Sequence, residues 1–163
     1  MSIRTKSGKK NPPVIKGRKK SESENNWILV SDDKTYEWGS QMARVSLVRE
    51  GIGYGAIETI SNRLHCPVKT VLSLMGMPQT TYNKKKSEHS LMDTHSSEWV
   101  LLVTELIDYG LEVFNQEEEK WLRWLQKPNL SLGGQTPVSL LDTISGIDEV
   151  RSCLNRIEFG NFA

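Results

Sequence analysis

The residue types most often used for catalysis or metal binding are few in this sequence, and their spacing does not bring them together. His65, His89 and His95 do not stand at i, i+4 on one helix, and neither Cys66 nor Cys153 lies near a second sulfur ligand, so no metal site is expected. No GxSxG, HExxH or Walker loop occurs. The stretch GIGYGA, residues 51–56, offers glycines, but it follows a helical pattern instead of a strand and lacks a Lys-Ser/Thr ending. It reads as a flexible joint. Glu117, Glu118 and Glu119 suit the solvated start of a helix, where carboxylates meet the positive end of the helix dipole. We therefore expect no catalytic residue, no cofactor, no small-molecule substrate and no enzyme activity.

A different chemistry is written in residues 68–86. Gln79, Thr80, Thr81 and Asn83 are polar side chains at the start of a short helix, and Gln or Asn can pair bidentately with an adenine edge. Lys84, Lys85 and Lys86 follow as phosphate contacts. The alternative is a solvated cationic end that favours the helix dipole. Val68, Val71, Leu72 and Met75 form one helical side that stops at Gly76, and Pro78 begins the next helix. Two short helices joined by a short Gly-containing turn make a helix-turn-helix unit, whose second helix reads the major groove.

The remaining elements are also predicted helical. Met42, Val45, Leu47 and Val48 recur at helical steps before Gly51, as do Ile57, Ile60 and Leu64 before Cys66-Pro67. Residues 98–114 are apolar on most faces, which predicts a helix surrounded by protein. Asn115 with Glu118 marks the next start, and Trp121, Leu122, Trp124 and Leu125 its buried stripe. Thr136 is expected to cap a helix with Pro137 in its first turn, and Ser145 with Asp148 to cap the last, which ends at Gly160. The run WILV at residues 27–30 fits a strand or a packed connector.

Charge divides the chain. Residues 1–20 carry eight basic side chains and no acidic one, residues 21–96 eight basic and nine acidic, and residues 97–163 five basic and eleven acidic. Residues 1–26 are too polar to form a core and are expected to be a disordered basic arm, either solubilising or bound to nucleic-acid phosphates. No window approaches the ~20 consecutive apolar residues of a membrane span, and no apolar h-region follows the first basic residues. With two distant cysteines, this points to a cytoplasmic protein without membrane association.

The C-terminal third carries a resemblance. Trp121, Leu125, Pro128, Asn129, Leu132, Gly133, Gly134, Pro137, Leu140, Leu141, Gly146, Val150, Leu154, Arg156, Ile157, Glu158, Phe159 and Gly160 form an ordered set that resembles antitoxins of the Xre/MbcA/ParS type. These are partners of RES-domain and ParT-like toxins. Met75-Gly76-Met77 and Thr81 fit the family's turn more loosely, with Pro78 and Tyr82 departing from it. The resemblance covers roughly residues 39–163. It implies a C-terminal domain that binds a cognate toxin, most simply a RES-type toxin whose NAD access is blocked by the antitoxin's C-terminal end. An ADP-ribosyltransferase of ParT-like type, or a stand-alone regulator with no toxin, are the alternatives.

Arg156, Glu158, Phe159, Gly160 and Phe162 are then the candidate toxin contacts, since aromatic anchors beside charge are what binding hot spots are made of. The expected architecture is all-α: an arm over 1–26, a helix-turn-helix (Xre-like) DNA-binding domain over 27–96 and a helical toxin-binding domain over 97–163. Autorepression at operator DNA would require a homodimer that spaces two reading helices about one DNA turn, ~34 Å, apart. Trp99 is either part of that dimer contact or of the monomer core.

Overall fold

The computed structural model describes residues 26–32 and 34–160. The basic arm therefore lies, apart from Asn26, outside the described residues, as does Phe162.

The chain is mostly helical but not all-α, because the undecided run WILV forms a strand. β1 (Trp27–Ser31) pairs antiparallel with β2 (Lys34–Trp38) in the register Trp27↔Trp38, Leu29↔Tyr36 and Ser31↔Lys34. Alternation explains this element. Leu29, Ser31, Tyr36 and Trp38 are buried on one face, and Ile28 and Val30 are about half exposed on the other. Asp32 turns the chain at φ 50°, a left-handed geometry that Asp tolerates better than most residues. The Trp27 and Trp38 rings stack with centroids 6.0 Å apart. A period of two over five residues is short enough to be mistaken for a connector.

Among the described residues seven α-helices follow: α1 (Gln41–Glu50), α2 (Ala56–Arg63), α3 (Val68–Leu74), α4 (Gln79–Ser87), α5 (Thr94–Val113), α6 (Glu118–Gln126) and α7 (Ile144–Glu158). Ser40 caps α1 by accepting from the Ala43 amide. The joint expected at residues 51–56 is instead clamped. Ile52 is fully buried, its amide donates to Ser97 Oγ at 3.0 Å, its carbonyl accepts from the Met92 amide at 2.8 Å, and the Gly53 amide donates to Tyr36 Oη at 3.0 Å.

Helix α5 is the centre of the molecule. It starts four residues before the expected position because Asp93 accepts from the Ser96 amide at 2.7 Å and caps it. The expected division at 96/97 thus falls inside its first turn. β1, α1, α2, α6 and α7 all pack on it, and one continuous set of buried side chains runs from Leu29 to Leu154. Trp99 belongs to this core: it is 2% exposed and its indole N–H donates to the Leu141 carbonyl at 2.6 Å. Gly110 lets α6 approach, since a Cβ there would lie 2.4 Å from the Trp121 ring.

Two other starts differ from the sequence expectation. Asn115 and Gln116 take left-handed conformations, φ 53° and 63°, and precede α6 instead of opening it; Glu117 holds the cap position. The segment after Thr136 is a 3-10 turn (Pro137–Asp142) in which Thr136 makes no side-chain cap, and α7 is capped by Thr143, which accepts from the Gly146 amide at 3.0 Å, not by Ser145. Among the described residues no helix is long and apolar enough to cross a membrane.

Candidate functional site

Helices α3 and α4 are joined by Met75–Pro78, and the left-handed Gly76 (φ 63°) reverses the chain between them. Val71 and Leu72 bury α3 and Tyr82 buries α4, which leaves Gln79, Thr80, Thr81, Asn83 and Lys84 exposed. Gln79 Nε2 donates to Asn83 Oδ1 at 3.1 Å, so the two amides are pre-arranged on one face of α4.

The three lysines do not behave alike. Lys86 pairs with Glu58 of α2, and the same carboxylate accepts from Tyr82 Oη at 3.2 Å. The hydrogen bond from Lys86 holds the Glu58 carboxyl below its usual range, although burial opposes it. The same bond raises Lys86, while burial and then the nearby Glu58 charge raise Tyr82. Lys86 therefore fastens α4 to α2, whereas no ion pair is formed by Lys84 or Lys85 among the described residues.

At the other end of the chain, α7 buries Ile147, Val150, Cys153 and Leu154 and carries Arg156, Glu158 and Phe159 to its terminus. Glu158 accepts from Tyr109 Oη at 2.6 Å, which ties the helix end to α5. Burial first, then that hydrogen bond, pushes the Tyr109 phenol up to about 12. Phe159 is 56% exposed, and Gly160 ends the helix at φ 65°. Helix α4 packs on α3 and the α7 terminus on α5, so the two candidate surfaces are held by separate parts of the fold.

A buried carboxylate is a functional group that motif and spacing did not single out. Glu105, on α5, is 3% exposed and receives the Trp38 indole N–H at 2.8 Å, Arg44 Nη1 at 2.7 Å and, more distantly, Arg151 Nη2 at 3.5 Å. Its partners come from β2, α1 and α7. The available signal was a lone Glu within the apolar run around Leu101–Ile107; a charge there needs cations from elsewhere. Beside it, a groove of about 640 Å³ lies between β1, α2, α5 and α7, with Trp27, Arg63, Asp108 and Arg151 in its wall. Among the described residues no group of three or more His, Cys, Asp or Glu side chains could hold a metal ion.

Comparison with known proteins bears on the α5–α7 part through a family match and on most of the chain through relatives. Residues 110–160 match the family described as antitoxin Xre/MbcA/ParS C-terminal toxin-binding domain. The chain is 28% identical over 132 residues to the Prs ADP-ribosylating antitoxin of a Sphingobium species, covering 76% of this chain and 83% of that protein. It is 26% identical over 115 residues to antitoxin Xre of Photorhabdus laumondii (71% and 78%) and 24% identical over 119 residues to antitoxin Xre of Yersinia enterocolitica (73% and 80%). The chain is an antitoxin of a toxin-antitoxin system. Residues 110–160 are similar to the toxin-binding domain of the Xre/MbcA/ParS antitoxins, in line with the resemblance carried by the ordered residues from Trp121 to Gly160.

Proposed function

We propose that this antitoxin neutralises an NAD-consuming toxin by laying the end of α7, with Arg156, Glu158, Phe159, Gly160 and Phe162, over the toxin's active site. The observation that carries the proposal is the fixed, outward-facing terminus of α7 in the part matched to the toxin-binding family. An exposed aromatic flanked by charge on a rigid helix supplies a binding anchor with little ordering cost. The excess of carboxylates in residues 97–163 favours a partner whose cleft is basic enough to hold a dinucleotide phosphate. The chain acts by binding and not by turnover.

Two toxin classes share that substrate. A RES-type toxin destroys NAD, whereas a ParT-like toxin transfers ADP-ribose to an acceptor; the name of the Sphingobium relative favours the second. In the same proposal the chain represses its own operon as a homodimer, with Gln79, Thr80, Thr81 and Asn83 facing bases and Lys84 and Lys85 on phosphates. Lys86 keeps α4 in place through Glu58.

The test is co-expression with the product of the adjacent gene, followed by purification and an NAD assay. A stable complex that leaves NAD intact, with activity recovered on separating the toxin, is expected. Loss of NAD alone identifies the first toxin class and labelling of a protein acceptor the second. An adjacent product that neither binds the chain nor touches NAD sinks the proposal in favour of a stand-alone regulator.

A further inference from the structure

The sequence between α6 and the 3-10 turn Pro137–Asp142 is built to hold a leucine in solvent. Leu130 is 94% exposed, more than any other large hydrophobic side chain among the described residues; Met42 follows at 72%. Disorder does not explain this exposure, because the loop from Asn129 to Gln135 is closed on itself. The Asn129 amide donates to the Gln135 carbonyl at 2.9 Å, the Gly134 amide donates to the Asn129 carbonyl at 2.9 Å, and Asn129 Oδ1 accepts from the Ser131 amide at 2.9 Å. Gly133 and Gly134, at φ 67° and 79°, make the return possible. Two residues past Leu130, Leu132 is 8% exposed and roots the loop in the core.

The loop also leans on α7: Asn129 Nδ2 lies 3.6 Å from Cys153 Sγ. Cys153 is six residues before Phe159, which is about 9 Å of helix at ~1.5 Å per residue. Leu130 thus follows a residue seated on α7, roughly two helical turns before its terminus, and reaches the surface from a different element. A leucine on a closed loop loses little conformational freedom on being covered, while covering it removes apolar surface from water. Leaving it exposed gives the free chain nothing in return.

We propose that Leu130 is a second anchor for the cognate toxin, seated in an apolar pocket outside the toxin's active site. The inference rests on the toxin-binding reading of residues 110–160 above. It assigns distinct jobs: the α7 terminus blocks the active site, and the Leu130 loop supplies affinity.

The experiment compares the full chain, Leu130→Ser, Asn129→Ala and a chain lacking residues 159–163 against the purified adjacent-gene toxin, by calorimetry and by inhibition at saturation. Leu130→Ser is expected to raise Kd about ten- to a hundred-fold, the worth of burying one leucine. It should leave the melting temperature unchanged and inhibition complete once enough antitoxin is added. Asn129→Ala, which loosens the loop but keeps the leucine, should raise Kd by a smaller factor. The chain lacking 159–163 should instead lose maximal inhibition. An unchanged Kd for Leu130→Ser, with the wild type bound, overturns this inference and leaves the proposed function standing; a wild-type chain that binds no toxin overturns both. A change in the oligomeric state of the free protein on Leu130→Ser would assign the leucine to contact between copies and also overturn it.

Discussion

Replacing Glu105 by alanine should destabilise the fold more than any surface substitution. In the wild type the carboxylate accepts from Trp38 at 2.8 Å and from Arg44 at 2.7 Å, with Arg151 at 3.5 Å, while itself 3% exposed. Removing one partner of a buried ion pair costs about 3–5 kcal/mol. Arg44 and Arg151 keep some contact with water, 17% and 35% exposed in their side chains, which places the ion-pair part at or below the lower end of that range. The Trp38 indole N–H, buried and unpaired, adds about 1 kcal/mol or more. A destabilisation of about 3 kcal/mol follows, or roughly 6–12 °C in melting temperature for a chain of this size. Urea unfolding read by tryptophan fluorescence measures it. Glu105→Gln keeps an acceptor for Trp38 and should cost about half as much, because only the charge is removed. A Glu105→Ala chain within about 1 kcal/mol of wild type would refute the reasoning, since it would mean that the cations are fully solvated without their partner.

Other perturbations have equally definite outcomes. A Cβ at Gly146 would lie 1.8 Å from the Leu140 carbonyl oxygen, a backbone atom that cannot swing aside, so Gly146→Ala should cost about 3 kcal/mol or more, measured by thermal unfolding. In the folded chain the neutral Tyr109 phenol is favoured; its contribution to stability is intact below its ordinary 10.0 and is lost as pH rises towards about 12. Tyr54 and Tyr82 are also raised, so ultraviolet titration should show a late phenolate component that is reduced, not abolished, in Tyr109→Phe. Replacing Lys84 and Lys85 by alanine should flatten the log–log salt slope of DNA binding by about 0.9 for each phosphate that is no longer neutralised. Lys86→Ala should also lower the melting temperature, because it breaks the pair with Glu58.

The long-period features were the legible ones. The all-round apolar pattern of α5 and the stripe Trp121, Leu122, Trp124, Leu125 of α6 follow from side-chain spacing alone. Local rules misplaced other features. Ser145 has the right chemistry for a cap, but Thr143 occupies the cap position. The glycines of residues 51–56 suggest mobility, yet Ser97, Met92 and Tyr36, all distant in sequence, bond the backbone there. The same holds for the site. Gln79 to Lys84 and the α7 terminus could be picked out because each is a contiguous stretch. Glu105 with its partners Trp38, Arg44 and Arg151 could not, because four elements supply them. Leu130 was hidden for another reason: a leucine in a turn-rich segment looks like core until the closed loop around it is seen.

The central claim, that the α7 terminus shuts a toxin's active site, is tested most directly by NAD consumption of the purified toxin. The assay compares the full chain with one that ends at Glu158. The full chain should stop NAD loss at one equivalent per active site. The shortened chain should keep the wild-type fold by circular dichroism and still bind, yet leave NAD consumption running at saturation. Complete inhibition by the shortened chain would contradict the account.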